Sequence, residues 1–321
     1  MQPSRVTRRL SSEGIVMKSH VLGLALFSAT AIIANSPAHA AGSLTRTFVS
    51  STGVDTNPCT ITQPCATFAV AYAAVQANGI VAALDPGKYG PLTINTAVTI
   101  NGNGWSAITA PASSTGITIN AGSNEKVTLT GLEIDGAGAA FTGVAFNSGA
   151  MLDIINCAVQ DFASTGIGIT PSGGAQITIA HSYVSNNVGS GITLSSGSAT
   201  AYITIDHDIL TDNSIAINAL AGAGDLDVTI ANSDVSHTQN FGLQTGSLGS
   251  GTVSAKLINV VFEDTQGNAI YAQSTSSVTM SSVNDGHDAG GLSINGGAIS
   301  SDSTNHYPSV TGGSVGSYAF K

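Results

Sequence analysis

A segment of alternating apolar and polar residues returns seven times along the chain. Its clearest copy is residues 176–184 (QITIAHSYV). Two apolar residues alternate there with polar ones, a polar pair follows, and the alternation then resumes one position out of step. Alternation puts successive side chains on opposite faces of a strand, so each copy predicts two short strands joined by a bend. The copies begin at Val127, Leu152, Ile177, Ile203, Val228, Ala255 and Val278, which are 25, 25, 26, 25, 27 and 23 residues apart. A fixed period of this size indicates a solenoid, because stacked repeats bury apolar faces that a single repeat leaves exposed.

A second motif, Gly-aliphatic-x-aliphatic, lies between these copies. It occurs at residues 116–119, 143–146, 166–169, 191–194 and 291–294, with shorter forms at Gly242-Leu243 and Ala269-Ile270. Each period therefore carries three short strands, which predicts an all-β, right-handed parallel β-helix with coils of about 25 residues. On these motifs the sequence resembles the pectin-lyase-like β-helix superfamily over roughly residues 80–300. The resemblance implies an architecture and leaves activity open, since function resides in sites placed on folds.

The N-terminus predicts export. An apolar run, residues 21–33, follows Lys18, and Ala38-His39-Ala40 is a small-x-small cleavage site. We therefore expect residues 1–40 to be a signal peptide, with Met1 or Met17 as the start, and no membrane span in the mature chain. The product would be secreted, periplasmic or at the cell surface. Residues 41–321 would form one domain, with an N-terminal cap over 41–79, coils over 80–297 and a C-terminal cap over 298–321 in which Tyr318 and Phe320 close the end.

Charge restricts the partners of the mature chain. Beyond Ala40 there are 18 acidic residues against 5 basic ones, a net charge of −13. This charge disfavours nucleic acid and bare polyanions as partners, because nothing would offset phosphate or uronate charge. A polysaccharide or a surface protein is compatible with this balance.

The N-terminal cap should contain a disulfide and a helix. Cys59 and Cys65 enclose a five-residue loop, and in an exported protein such a pair predicts a disulfide. Cys157 is left over; it either packs inside as a small apolar group or links two chains. Residues 66–78 predict a short helix, with Asn78-Gly79 as its stop, that covers the open end of the first coil.

Stacked coils turn equivalent positions into physical rows. The bend between the two strands of each copy forms a row that we call the bend row: Gly131, Asn156, His181, His207, Asn232, Asn259 and Ser282. Gly and Asn tolerate left-handed backbone angles, and His is enriched there, so the row is interpreted as structural. An asparagine ladder at this bend is also familiar in the superfamily that the sequence resembles.

A second row, the polar row, lies just past the second strand of each copy. Its members are Gly136, Asp161, Asn186, Asp212, His237, Asp264 and His287. Asp212 and Asp264 lie two coils apart, about 9.6 Å, with His237 between them. Inverting glycosidases hold their carboxyls ~6.5–9.5 Å apart. Asp212, His237, Asp264 and His287 are therefore candidate catalytic residues, and Asp161, Asp212 and Asp264 are candidate calcium ligands. The alternative is structural, since Asp and Asn are ordinary where a strand turns into a loop.

The catalytic sites known in the superfamily have no counterpart here. Its pectate lyases use an Arg base beside a calcium-bound Asp cluster, and its polygalacturonases combine close Asp residues with an Arg and Lys pair. In the mature chain the one arginine, Arg46, precedes the first coil, and the Glu263-Asp264 pair has no basic neighbour. The sequence therefore favours a non-catalytic surface or matrix protein that binds glycan or protein along its face, without a cofactor. The alternative is a polysaccharide lyase or glycoside hydrolase that uses the polar row.

Overall fold

The computed structural model describes residues 42–286 and 289–318, which stack as the coils of a parallel β-helix. The predicted signal peptide, His287 and Phe320 lie outside these residues. In chain order the elements are β1 (Leu44–Val49), α1 (Phe68–Ala74), β2 (Val75–Ala83), β3 (Gly87–Lys88), β4 (Leu92–Ile94), β5 (Val98–Thr109), β6 (Thr115–Asn120), β7 (Lys126–Asp135), β8 (Thr142–Ser148), β9 (Met151–Ile155), β10 (Ala158–Gln160), β11 (Thr165–Ile169), β12 (Ala175–Ala180), β13 (Tyr183–Ser185), β14 (Ser190–Leu194), β15 (Ala201–Asp206), β16 (Ile209–Thr211), β17 (Ile215–Ala221), β18 (Leu226–Ala231), β19 (Asp234–Ser236), β20 (Phe241–Ser247), β21 (Val253–Ile258), β22 (Val261–Glu263), β23 (Asn268–Gln273), β24 (Ser276–Ser281), β25 (Asn284–Asp285), β26 (Leu292–Asn295), β27 (Ala298–Ser301), β28 (Val310–Thr311) and β29 (Gly316–Ser317).

The described strands form two sheets. The first and second strands of the coils belong to one sheet of 19 strands, and the third strands form a sheet of ten, from β4 to β28. Strands β5 and β7 each contain the first and second strand of their coil in a single run, and β7 has its bend at Gly131. Apolar side chains from both sheets point inward and fill the space inside the coils.

The predicted register between coils is confirmed. Ile179 of β12 pairs with Ile154 on one side and with Ile205 on the other, and all three side chains are fully buried. The ladder also extends beyond the seven sequence copies, because Val98 pairs with Val127 and Val278 pairs with Ile299. Each inward Ile adds about 1.5–3 kcal/mol of apolar burial, so the alternation that defines the copies is also what holds them together.

Every member of the bend row has a left-handed backbone. The φ angles of Gly131, Asn156, His181, His207, Asn232, Asn259 and Ser282 lie between 49° and 61°. Glycine adopts such angles freely, and among L-residues Asn, Asp and His are the most tolerant, which gives every member of the row except Ser282 a backbone cause.

The capping helix is shorter than the sequence predicts. It spans Phe68–Ala74 rather than 66–78, with the Thr67 hydroxyl accepting a hydrogen bond from the Val70 N–H at 3.3 Å. Val75 is already extended, and the residues after it pair with both β1 and β5. As a strand, these residues also give the backbone groups of β1 and β5 their partners, which another helical turn would not do, so the strand replaces the last part of the expected helix.

The N-terminal disulfide is confirmed. Cys59 and Cys65 are bonded with Cα atoms 4.7 Å apart, and Cys157 is a buried free thiol. At the other end of the described chain, the Tyr318 hydroxyl donates to the Met280 carbonyl at 2.9 Å. None of the helices within residues 42–286 and 289–318 has the length and apolar character needed to cross a membrane.

Candidate functional site

The polar row is stacked as predicted, and its backbone is unusual. Each described member from Asp161 to Asp264 directly follows a second strand, and these strands pair in register from β10 to β22. The φ angles of Asp161, Asn186, Asp212, His237 and Asp264 are 63°, 53°, 56°, 50° and 54°. The row is therefore a second line of left-handed bends, where the chain leaves the second strand for the loop that leads to the third.

An inner ladder of buried polar side chains holds these bends in place. Asn213, next to Asp212, is fully buried; its Oδ1 accepts from the Asn187 amide at 2.9 Å, and its Nδ2 donates to the Val184 carbonyl at 2.9 Å. One coil further, Thr238 donates to Thr265 at 3.1 Å. Sequence reasoning missed this ladder. In the sequence, the ladder is indicated by a polar residue that recurs one position after the polar row, at an inward position where an apolar residue would be expected.

Three of the four catalytic candidates come together on the surface. The Thr211 hydroxyl lies 3.1 Å from Asp212 Oδ2 and 3.4 Å from His237 Nδ1, so it links the two neighbouring coils. His237 Nε2 lies 3.6 Å from Asp264 Oδ2, and these side chains are 59% and 53% exposed. The imidazole thus sits between two carboxylates in open contact with solvent. His287, the fourth candidate, lies outside the described residues.

These side chains border an open groove of about 600 Å³, which we call the row groove. Its lining residues are Asn186, Asp212, His237, Gln239, Asp264, Thr265, Gln266 and Ala289. Gln239 and Gln266 were not predicted. They occupy the same position in consecutive copies, two residues after His237 and Asp264, and that recurrence is the signal that could have found them. The groove can offer hydrogen bonds to a ligand from amide, imidazole and carboxylate groups in adjacent coils.

The calcium-ligand candidates are spread along the row. Asp161 contacts Asn186, whose amide donates to its Oδ1, and it is absent from the lining of the row groove. Within the two described ranges, no group of three or more His, Cys, Asp or Glu side chains is arranged to hold a metal ion. Calcium at Asp161, Asp212 and Asp264 stays a prediction.

The side chains of the bend row mainly contact one another or the residue before the bend. His181 and His207 have ring centroids 5.0 Å apart, and Asn259 donates to the Asn232 amide oxygen at 3.0 Å. Asp206, which precedes this bend, accepts from Asn232 at 2.9 Å, and that hydrogen bond is the largest of the influences that lower its pKa. These contacts fit the structural interpretation of the row.

Comparison with known proteins agrees with the fold. A family model described as "Right handed beta helix region" matches residues 51–235. Among solved structures, "Crystal structure of pectate lyase Pel9A" is similar, with 16% identity, a TM-score of 0.61, and coverage of 87% of this chain and 80% of that one. A rhamnogalacturonan lyase matches with 14% identity, a TM-score of 0.45, and coverage of 80% and 75%. A search of curated proteins found no match. At these identities the structural likeness is one of fold alone.

Proposed function

We propose that this chain, which belongs to the family of right-handed β-helix proteins, is an exported, non-catalytic protein that binds a neutral glycan in the row groove. The observation that carries the proposal is the lining of that groove. Six of its residues present amide, imidazole or carboxylate groups: Asn186, Asp212, His237, Gln239, Asp264 and Gln266. Sugar hydroxyls both donate and accept hydrogen bonds, so a surface that mixes donors with acceptors suits them.

The charge of the groove favours a neutral ligand. Asp212 and Asp264 are its carboxylates, and no Lys or Arg contributes to its described lining. A uronate polymer would bring further negative charge to a mature chain whose net charge is already −13. A neutral polysaccharide avoids this repulsion and can use the same carboxylates as hydrogen-bond acceptors.

Binding rather than catalysis is favoured by exposure. Charged catalytic groups act most strongly in sites that exclude water, whereas His237 and Asp264 are more than half exposed. The 3.6 Å separation of His237 Nε2 and Asp264 Oδ2 is longer than a hydrogen bond, and Nδ1 contacts the Thr211 hydroxyl, so neither carboxylate orients the imidazole directly. The left-handed backbone also explains why Asp and His occur at these positions, without any role in catalysis.

Export is supported by the Cys59–Cys65 bond, because disulfides persist in oxidising compartments. The apolar run and cleavage site near Ala40 point to the same route.

The test is affinity electrophoresis of the purified protein in gels that contain neutral polysaccharides, with polygalacturonate as the anionic comparison. We expect retardation by a neutral polysaccharide and its loss in the Gln239→Ala/Gln266→Ala double variant, since both side chains are exposed and their removal leaves the fold intact. Gln176→Ala, an exposed glutamine on the first strand of another coil, is the matched control. Retardation that persists in the double variant would refute binding in the row groove.

A glycoside hydrolase is the second candidate. It is favoured by the roughly 9.6 Å spacing of Asp212 and Asp264 across two strand spacings, at the upper edge of the inverting range. Release of reducing ends from a neutral polysaccharide by wild type, abolished in Asp212→Asn and in Asp264→Asn, would establish it. Asn keeps the left-handed bend at both positions, so a loss of turnover could not be attributed to misfolding.

A further inference from the structure

A second groove, of about 330 Å³, runs across the second strands of the N-terminal coils. We call it the Tyr183 groove; its lining includes Gly104, Gly131, Glu133, Asn156, Ala158, Gln160, His181 and Tyr183. Its volume lies in the ~300–1,000 Å³ range of small-ligand sites. The row groove begins at Asn186 and extends toward the later coils, so the two are lined by different residues.

The floor of the Tyr183 groove is made by residues with little or no side chain. Gly131 is the one bend-row member without a Cβ, and a Cβ there would meet the Gly104 backbone nitrogen at 2.7 Å. In the outward row of the second strands, Ala158 pairs with Glu133 on one side and Tyr183 on the other. A methyl group between two long side chains leaves a depression about two strand spacings wide, roughly 9.6 Å.

Exposed aromatic rings accompany this depression. Tyr183 lines it and is 40% exposed, and Trp105, which directly follows Gly104, is 49% exposed. The two residues lie three coils apart, about 14 Å along the stack. Large aromatic side chains exposed beside a groove mark an interaction site, and their flat faces suit the C–H faces of sugar rings.

The polar groups of the groove are available to a ligand. Within residues 42–286 and 289–318, the side chains of Glu133, Asn156 and Gln160 make no hydrogen bond to another residue. In the same bend row, by contrast, the Asn232 and Asn259 amides bond to their neighbours. Glu133 is the one carboxylate among the lining residues, which include no Lys or Arg, and its negative charge disfavours anionic ligands.

From this combination of an aromatic ring, unused amides and a shallow floor, we infer that the Tyr183 groove is a second binding site for neutral glycan, separate from the row groove. The two grooves meet at the coil of β13, where Tyr183 belongs to one lining and Asn186 to the other, and from there they extend in opposite directions along the stack. A glycan chain lying parallel to the long axis could occupy either groove without the other.

The chain contains a single tryptophan, Trp105, which directly follows the lining residue Gly104, so its emission reports on a ligand at this end of the groove. The experiment titrates purified protein with cellohexaose, xylohexaose and mannohexaose, each to about 10 mM, while Trp emission and acrylamide quenching are recorded. We expect a saturable blue shift and protection from acrylamide with at least one of them, and no response to hexagalacturonate. Absence of any change with all three neutral oligosaccharides would overturn the inference.

Four variants keep the reporter and test the location. Tyr183→Ala removes the ring and Ala158→Gln fills the floor; each should weaken the response at least tenfold. Ile209→Ala is the matched control, because Ile209 pairs with Tyr183 in the same outward row and is 45% exposed but lies outside the groove lining. An equal loss in Ile209→Ala would refute a localised site. The Gln239→Ala/Gln266→Ala variant should respond like wild type, so failure of the row groove and failure of this site remain distinguishable.

Discussion

The stability of the β-helix should fall as pH rises from 4 to 8, because of one buried carboxylate. Asp208 is 1% exposed, and its oxygens accept from the Ser182 N–H at 2.6 Å and the Asp206 N–H at 3.0 Å. Burial is the largest influence on the Asp208 pKa and raises it from 3.8 to about 7, although the two backbone donors lower it. A raised carboxyl pKa means that the folded state holds the proton more tightly than the unfolded chain. The contribution is therefore complete below pH 3.8 and is lost as pH rises through about 7.

The structure supplies a neutral replacement for this carboxylate. Ser182 and Ser233 occupy the same position in the adjacent coils, where each hydroxyl accepts a backbone N–H from the preceding coil and donates to the carbonyl two residues before it. Asp208→Ser should reproduce that geometry without an ionisable group. A pKa difference of this size corresponds to roughly 4 kcal/mol between pH 4 and pH 8.

The assay is urea unfolding followed by circular dichroism at pH 4, 5, 6, 7 and 8. The free energy of unfolding of Asp208→Ser minus that of wild type should increase across this range by roughly 4 kcal/mol. Any pH-independent cost of the smaller side chain cancels in that change. Asp234→Ser, at an exposed carboxylate of the next coil, should show no comparable trend. Curves for Asp208→Ser and wild type that run parallel with pH would refute the reasoning.

Three further predictions concern the core, the cysteines and the substrate. Ile179→Asp places an unpaired charge between Ile154 and Ile205 and should abolish folding, whereas Thr178→Lys, which places a charge of opposite sign beside the outward Asp153, should melt like wild type. Mass mapping should find Cys59 linked to Cys65 and Cys157 unmodified by alkylating reagent in the native protein, because burial raises the pKa of Cys157 to about 11; alkylation of native Cys157 would contradict this. Polygalacturonate with calcium should yield no unsaturated product by absorbance, since eliminating a proton from a uronate needs a base and a cation near it; turnover lost in Asp212→Ala would overturn that prediction.

The sequence predicts register well because the core enforces it. A strand shifted by one residue would turn its whole apolar set outward, so the alternation around Ile179 allows one pairing. The third strand of one coil was missed, since Ile215–Ala221 carries Ala216 where the other copies have mostly Gly. The helix boundary was misplaced because the change to an extended backbone at Val75 depends on strand partners far away in sequence.

The grooves could not be predicted, because their shape depends on contrasts between neighbouring coils. Ala158 is an ordinary outward residue until Glu133 and Tyr183 are placed beside it. Likewise, Gly131 resembles the other bend residues in the sequence, yet its missing Cβ lets the Gly104 backbone approach closely and join the groove lining. Comparing equivalent positions of the coils identifies residues that recur, whereas a groove forms where a side chain differs in size from its neighbours in the adjacent coils.

The residues of the polar row raise a more general difficulty. Asp, Asn and His are the side chains that catalytic and metal sites use, and they are also the ones that tolerate left-handed backbone angles. In a solenoid such angles recur in every coil, so polar clusters arise from backbone geometry alone. Gln239 and Gln266 have no such cause, because neither has a positive φ, yet both are exposed and line the row groove in consecutive coils. The fold therefore gives no reason for glutamine at these two positions. Substitutions of Gln239 and Gln266 test ligand binding more directly than substitutions of Asp212, His237 or Asp264, whose identities the backbone already explains.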